Sequence, residues 1–237
     1  MNRHFFTAAF LLGLTAIVWV AAGFWGSNLL ALLMTGVIAA VYGLGTLELH
    51  RFRQATTTLN TALSALVAPL PNLGAWLAGL PASLQNPVRL RIEGERVGLP
   101  GPGLTPYLVG LLVMLGMLGT FLGMVVTLNG AVFALEGTTD LQAIRNAFSA
   151  PMKGLGLAFG TSVAGVASSA MLGLMSALSK RERLQAAQRL DSQIATTLRE
   201  FSLTHQRQEA FKALQLQSQA LPQVVDQLQA MMSQMQQ

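Results

Sequence analysis

Hydroxyl groups and glycines supply most of the chemistry available to the apolar middle of this chain. Gly116, Thr120, Gly123 and Thr127 follow one another in steps of four, three and four, the spacing that places residues on one face of a helix. Gly119 and Gly123 form a GxxxG pair, and in lipid such a small face lets helices approach closely, because apolar burial no longer drives their association. The later stretch "KGLGLAFGTSVAGVASSAMLGLMSAL" repeats the device. Ala158, Ser162, Gly165, Ser169 and Ser176 lie on one side of it, with Gly160, Thr161 and Ser168 beside them. If the two helices are antiparallel with outer ends at Thr127 and Gly154, then Thr120 and the pair Thr161–Ser162 lie at a common depth of about 10–12 Å. Extending the first helix to Leu135 loosens that match by about a turn or two.

Hydroxyls guide protons without carrying charge, and no Asp, Glu, Lys, Arg or His lies within the apolar cores that hold them. A proton pump normally needs an intramembrane ionisable group. If protons cross here, the titrating carboxylate must come from a partner helix, with Thr120, Thr127, Thr161 and Ser162 lining its path. Tight packing at Gly116, Gly119, Gly123, Gly160 and Gly165 is the competing explanation of the same residues. The chain has no Cys, and His4, His50 and His205 are scattered, so no metal or cofactor site is expected.

The elements that would position these residues are membrane spans. Of 237 residues 52% are hydrophobic and 11% charged, against about a quarter charged in ordinary soluble chains. Four apolar runs are long enough to cross a bilayer: Phe5 to Trp25, Leu29 to Leu49, Tyr107 to Leu128 and Gly154 to Leu178. The first is too long for a signal-peptide core and is followed at once by the second. Arg3, Arg51, Arg53, Arg89, Arg91, Arg96 and the run Lys180-Arg181-Glu182-Arg183 fall on one side, against Arg145 and Lys153 on the other, which predicts cytoplasmic N and C termini. Glu136 to Ala150 is then an outward connection. Trp25 and Tyr107 suit interfacial anchoring. The net charge of +5 is explained by lipid and topology, and no nucleic-acid module is present.

Residues 51–105 read as a short cytoplasmic insert, punctuated by Pro69, Pro71, Pro81, Pro87, Pro100 and Pro102 and too small to be a domain of its own. Its first part reads as proline-broken amphipathic helices, and "VRLRIEGER" alternates like a short strand pair or a turn-rich patch. Residues 181–237 form a charged, then Gln-rich helical tail. Leu184, Ala187, Ile194, Leu198 and Phe201 keep one coiled-coil-like register; Phe211, Leu214, Leu221, Val225, Leu228, Met232 and Met235 keep another. A slip is expected near His205 to Gln208 and a kink at Pro222. The end "MMSQMQQ" carries no stop signal, as expected of a tail that continues.

"MLGTFLGM", Met117 to Met124, resembles the GLLGT-x-x-G element of the MotA/TolQ/ExbB proton-channel family, and "GTSVAGVASSA", Gly160 to Ala170, resembles its TT-x-x-GL-x-x-A-I element. The likeness covers about Pro106 to Lys180; the first 100 residues are similar only in their order of spans and insert, which is closer to the MotA arrangement than to the three-span members. The resemblance implies a pentameric ring of this chain in a bacterial inner membrane. Within it sits a dimer of a single-span partner similar to MotB, ExbD or TolR, whose membrane Asp takes and releases the proton. Thr120 would be the pore threonine of the first element and Thr161 or Ser162 that of the second. Ser162 departs from the family Thr, Ala170-Met171 stands where Ile-Pro usually follows, and no acidic residue precedes Thr161. The tail is similar to that of the ZorA subunits of phage-defence systems.

The expectation is therefore an all-α membrane protein of four spans (1–50 and 106–180), an insert and a tail, acting as the channel wall of an ion-driven motor rather than as an enzyme. The alternative is a membrane scaffold whose Gly/Ser faces only pack and whose tail recruits cytoplasmic proteins. A solute transporter is disfavoured, since neither inverted repeats nor intramembrane charges are visible.

Overall fold

The computed structural model describes residues 2–26, 29–66, 72–95, 97–135 and 141–235. Among them every regular element is helical: α1 (Asn2–Phe24), α2 (Leu29–Ser64), α3 (Leu73–Ala78), α4 (Ala82–Ile92), α5 (Thr105–Leu135), α6 (Leu141–Ala195), a 3-10 turn (Arg199–Phe201) and α7 (Leu203–Met235). Four of them, α1, α2, α5 and α6, are long and apolar enough to cross a membrane. The chain divides into two compact units, one of Met1–Thr56 with Gly101–Leu184 and one of Thr57–Pro100 with Gln185–Gln237.

The first unit holds the apolar stretches of all four long helices. Its core joins Phe6, Ile17 and Val20 of α1, Ile38, Tyr42 and Leu49 of α2, Leu112 of α5, and Ala164, Leu172 and Met175 of α6. α6 is the central helix: 44% of its apolar window is buried, against 22–28% for the other three. Tyr42 places a hydroxyl in this apolar core. It is 1% exposed, stacks on Phe10 and donates to the Phe10 carbonyl at 3.1 Å, which satisfies a group that is costly to bury alone. Glu48 fixes the start of α5. Its carboxylate accepts the Leu104 N–H at 2.9 Å and the Thr105 hydroxyl at 2.5 Å, serving as an N-cap supplied from α2. Arg53 pairs bidentately with Glu182 of α6 at 3.0 and 3.1 Å.

The second unit has its own core, formed by Leu59 and Leu63 from the end of α2, Leu77 and Leu80 of the α3 segment, Leu84, Val88 and Ile92 of α4, and Ala186 and Leu190 of α6. Arg91 links two of these elements, donating to Asp191 at 2.6 and 2.8 Å and to the Val97 carbonyl at 2.9 Å. The Asp191 hydrogen bond holds the Arg91 guanidinium above its ordinary pKa. The residues read as an insert too small to fold alone thus share a core with the base of the tail.

Four expectations are corrected. "VRLRI" is the end of α4, not a strand: Leu84, Val88 and Ile92 repeat every four residues and are fully buried. Gly94, with φ of 101°, ends that helix, and the Glu95 N–H returns to the Leu90 carbonyl at 2.9 Å. The connection after α5 is shorter than Glu136 to Ala150, because α6 already begins at Leu141; Glu136 and Asp140 lie outside the described residues. The tail breaks earlier than His205, at residues 196–202, where α6 closes through Leu198 N–H to Gln193 O at 2.9 Å and the 3-10 turn follows. Finally, the buried positions near the end of α6 are Ala186 and Leu190, joined by Leu198 just beyond it, while Leu184 is 65% exposed. Packing inside the second unit buries Ala186, Leu190 and Leu198. Pro222 falls within α7.

Candidate functional site

The site is the seam between α5 and α6. A Cβ placed on Gly116 would lie 3.3 Å from the Gly165 Cα, and one on Gly165 would lie 2.7 Å from the Gly116 Cα and the Leu112 carbonyl oxygen. One on Gly123 would meet the Ala158 Cβ and the Gly154 carbonyl at 2.6 Å, and one on Gly119 would overlap the Thr161 side chain. Gly154 in turn lies against Thr127. Towards the start of α5, Ser169 Oγ donates to the Val109 carbonyl at 2.9 Å. Each step up α5 is matched by an equal step down α6, so the helices are antiparallel and in register from Val109 to Thr127. Glycine is required here by backbone proximity, as small-residue seams in apolar bundles require it.

Thr127 and Gly154 meet as the sequence reading assumed, and Thr120 lies at the depth of Thr161 and Ser162. The extension of α5 to Leu135 does not loosen the match, because α6 extends backwards to Leu141 as well.

Of the four predicted path residues, Thr120, Thr127 and Ser162 are half-buried along one edge of the seam, and Thr161 is enclosed within it. Thr161 is fully buried against Gly119, and its hydroxyl donates to the Leu157 carbonyl at 2.7 Å. Thr127 donates to Gly123 O at 2.8 Å and is part-buried beside Gly154. Thr120 and Ser162 are half-buried too, and each follows a seam residue, Gly119 or Thr161, by one position. One position is about 100° of helix rotation, and in antiparallel helices that rotation carries both residues to the same edge of the seam. Their neighbours along that edge, Met124 on α5 and Leu155 and Val166 on α6, are 49%, 50% and 52% exposed. The opposite edge is closed, with Leu157 and Ala164 buried and Gly160 against Phe24 of α1. Ser169 and Ser176 continue the open edge along α6 at heptad spacing, both now buried.

The Thr120 hydroxyl hydrogen is occupied by the Met117 carbonyl at 2.5 Å. Its lone pairs can still accept a hydrogen bond, so the arrangement suits a group that donates, such as a protonated carboxylic acid. Among the described residues, no group of three His, Asp or Glu side chains could hold a metal ion.

Sequence reasoning missed three polar anchors. Tyr42 was signalled by a hydroxyl inside an apolar run, Glu48 by a carboxylate just before a span end, and the buried Ser179, which donates to Met175 O at 2.8 Å, by the heptad of serines that precedes it. No family model matches the chain, and neither a curated protein nor a solved structure matches it.

Proposed function

We propose that this chain is the wall-forming subunit of an ion-driven motor, set in a bacterial inner membrane with cytoplasmic termini and assembled as a pentamer. The ring surrounds a dimer of a single-span partner that carries a membrane Asp, and proton passage through that Asp drives mechanical work. One observation carries the reading: a polar pair, Thr120 and Ser162, lies at matched depth on the edge of the α5–α6 seam that α1 leaves open, with Thr127 one heptad further along the same edge. A hydroxyl already committed to its own backbone favours the protonated partner acid, which is the state that must cross the apolar layer. The resemblance of Met117–Met124 and Gly160–Ala170 to the two channel elements supports the same assignment.

The reading is tested with Thr120→Val, Ser162→Ala, which should abolish proton-coupled function while leaving assembly intact. Wild-type coupling in that double variant would overturn the pore assignment. A membrane scaffold is the second reading, favoured by the seam itself: Gly116, Gly119, Gly123, Gly165 and Thr161 are all accounted for by packing within one chain. A neighbouring reading frame encoding a single-span protein with an intramembrane Asp discriminates in favour of the motor.

A further inference from the structure

A cleft of about 370 Å³ opens between the first turns of α1 and the stretch Thr46–Arg53 of α2, inside the first unit. Its walls are amphipathic. Phe6, Phe10 and Leu47 are apolar, and Thr46, His50 and Arg53 are polar. The polar members stand at the end of the apolar run of α2, where a lipid headgroup would lie if these helices span a membrane. We propose that this cleft holds an anionic glycerophospholipid, its phosphate at His50 and Arg53 and an acyl chain along Phe6, Phe10 and Leu47. The proposal rests on the membrane part of the functional reading and not on the motor.

Charge decides the class of lipid. The two carboxylates at this end are spent within the protein, Glu48 on the start of α5 and Glu182 on Arg53. Arg51, Lys180 and Arg181 are exposed and make no ion pair among the described residues. With the Arg53–Glu182 pair neutral as a unit, the excess positive charge at this end of the apolar helices comes from Arg51, Lys180 and Arg181, which favours an anionic over a zwitterionic headgroup. The polar wall is also preorganised. Arg53 is held by the bidentate Glu182 pair and lies 4.2 Å over the Phe6 ring. The Gln54 amide lies 3.1 Å from His50 Nε2, which holds the imidazole one turn before it on the same helix.

The experiment uses the full chain, purified in detergent, exchanged into vesicles of equal parts phosphatidylglycerol and phosphatidylcholine, re-extracted, and its bound phospholipid measured by mass spectrometry. Phosphatidylglycerol should be retained over phosphatidylcholine, with the preference falling about fivefold in Arg51→Gln. Leu47→Trp fills the cleft at a position that is 59% exposed, so it should lose the retained lipid while keeping the wild-type melting temperature. Excess inorganic phosphate should not displace the lipid. Equal retention of the two lipids, a preference unchanged in Leu47→Trp or Arg51→Gln, or displacement by phosphate would overturn the site. Release of the chain from membranes by carbonate, without detergent, would instead contradict the membrane reading itself.

Discussion

A methyl group on Gly123 has no room, since the Ala158 Cβ and the Gly154 carbonyl already occupy its place. Gly123→Ala and Gly119→Ala should therefore each destabilise the protein by at least about 1–3 kcal/mol, read as a lower melting temperature in detergent. Gly110 is the internal control: a Cβ there meets nothing within 4 Å, so Gly110→Ala should be neutral or stabilising by up to about 1 kcal/mol. Equal effects at all three positions would contradict the seam. At this scale the sequence was informative, because the four-three-four spacing finds the glycine face without knowledge of its partner. It could not separate Thr161 from Thr120, because both lie near that face and only the packing of α6 decides which hydroxyl is enclosed. The coupling variant Thr120→Val, Ser162→Ala belongs to this scale too, and Thr161→Val should differ from it by costing stability rather than coupling alone.

At the scale of elements, the helices and their ends can be broken separately. Glu48→Ala removes the cap of α5 and should cost about 0.5–2 kcal/mol, checked by thermal denaturation; Glu48→Gln, which keeps acceptor oxygen, should cost less. Gly94→Ala forces a side chain into positive φ at the end of α4 and should destabilise by about 1 kcal/mol, seen as faster proteolysis between α4 and α5. Spans and their approximate limits were legible from apolar run length. The end of α4 reads as a strand because Val88, Leu90 and Ile92 also alternate, a period-two pattern that masks the helical repeat of Leu84, Val88 and Ile92. The tail register shifted for a different reason: Ala186 and Leu190 find partners within the chain, which a heptad count treats as a seam awaiting another copy.

For the whole molecule, the two compact units divide the work, with the hydroxyl pair in the first and a separately packed helical core in the second. Phe211 and Leu214, early in the second tail register, are 73% and 61% exposed on α7 and suit association between copies. Composition and hydropathy made the helical, membrane-compatible architecture legible; the shared core of insert and tail was not, because its halves are far apart in sequence. A ring of this chain around a partner is the proposed assembly, and cryo-electron microscopy of the full chain purified in detergent tests it. Five-fold rings with the Thr120–Ser162 edge turned toward the central axis are the predicted result. Monomers, dimers, or rings with that edge facing lipid would contradict it.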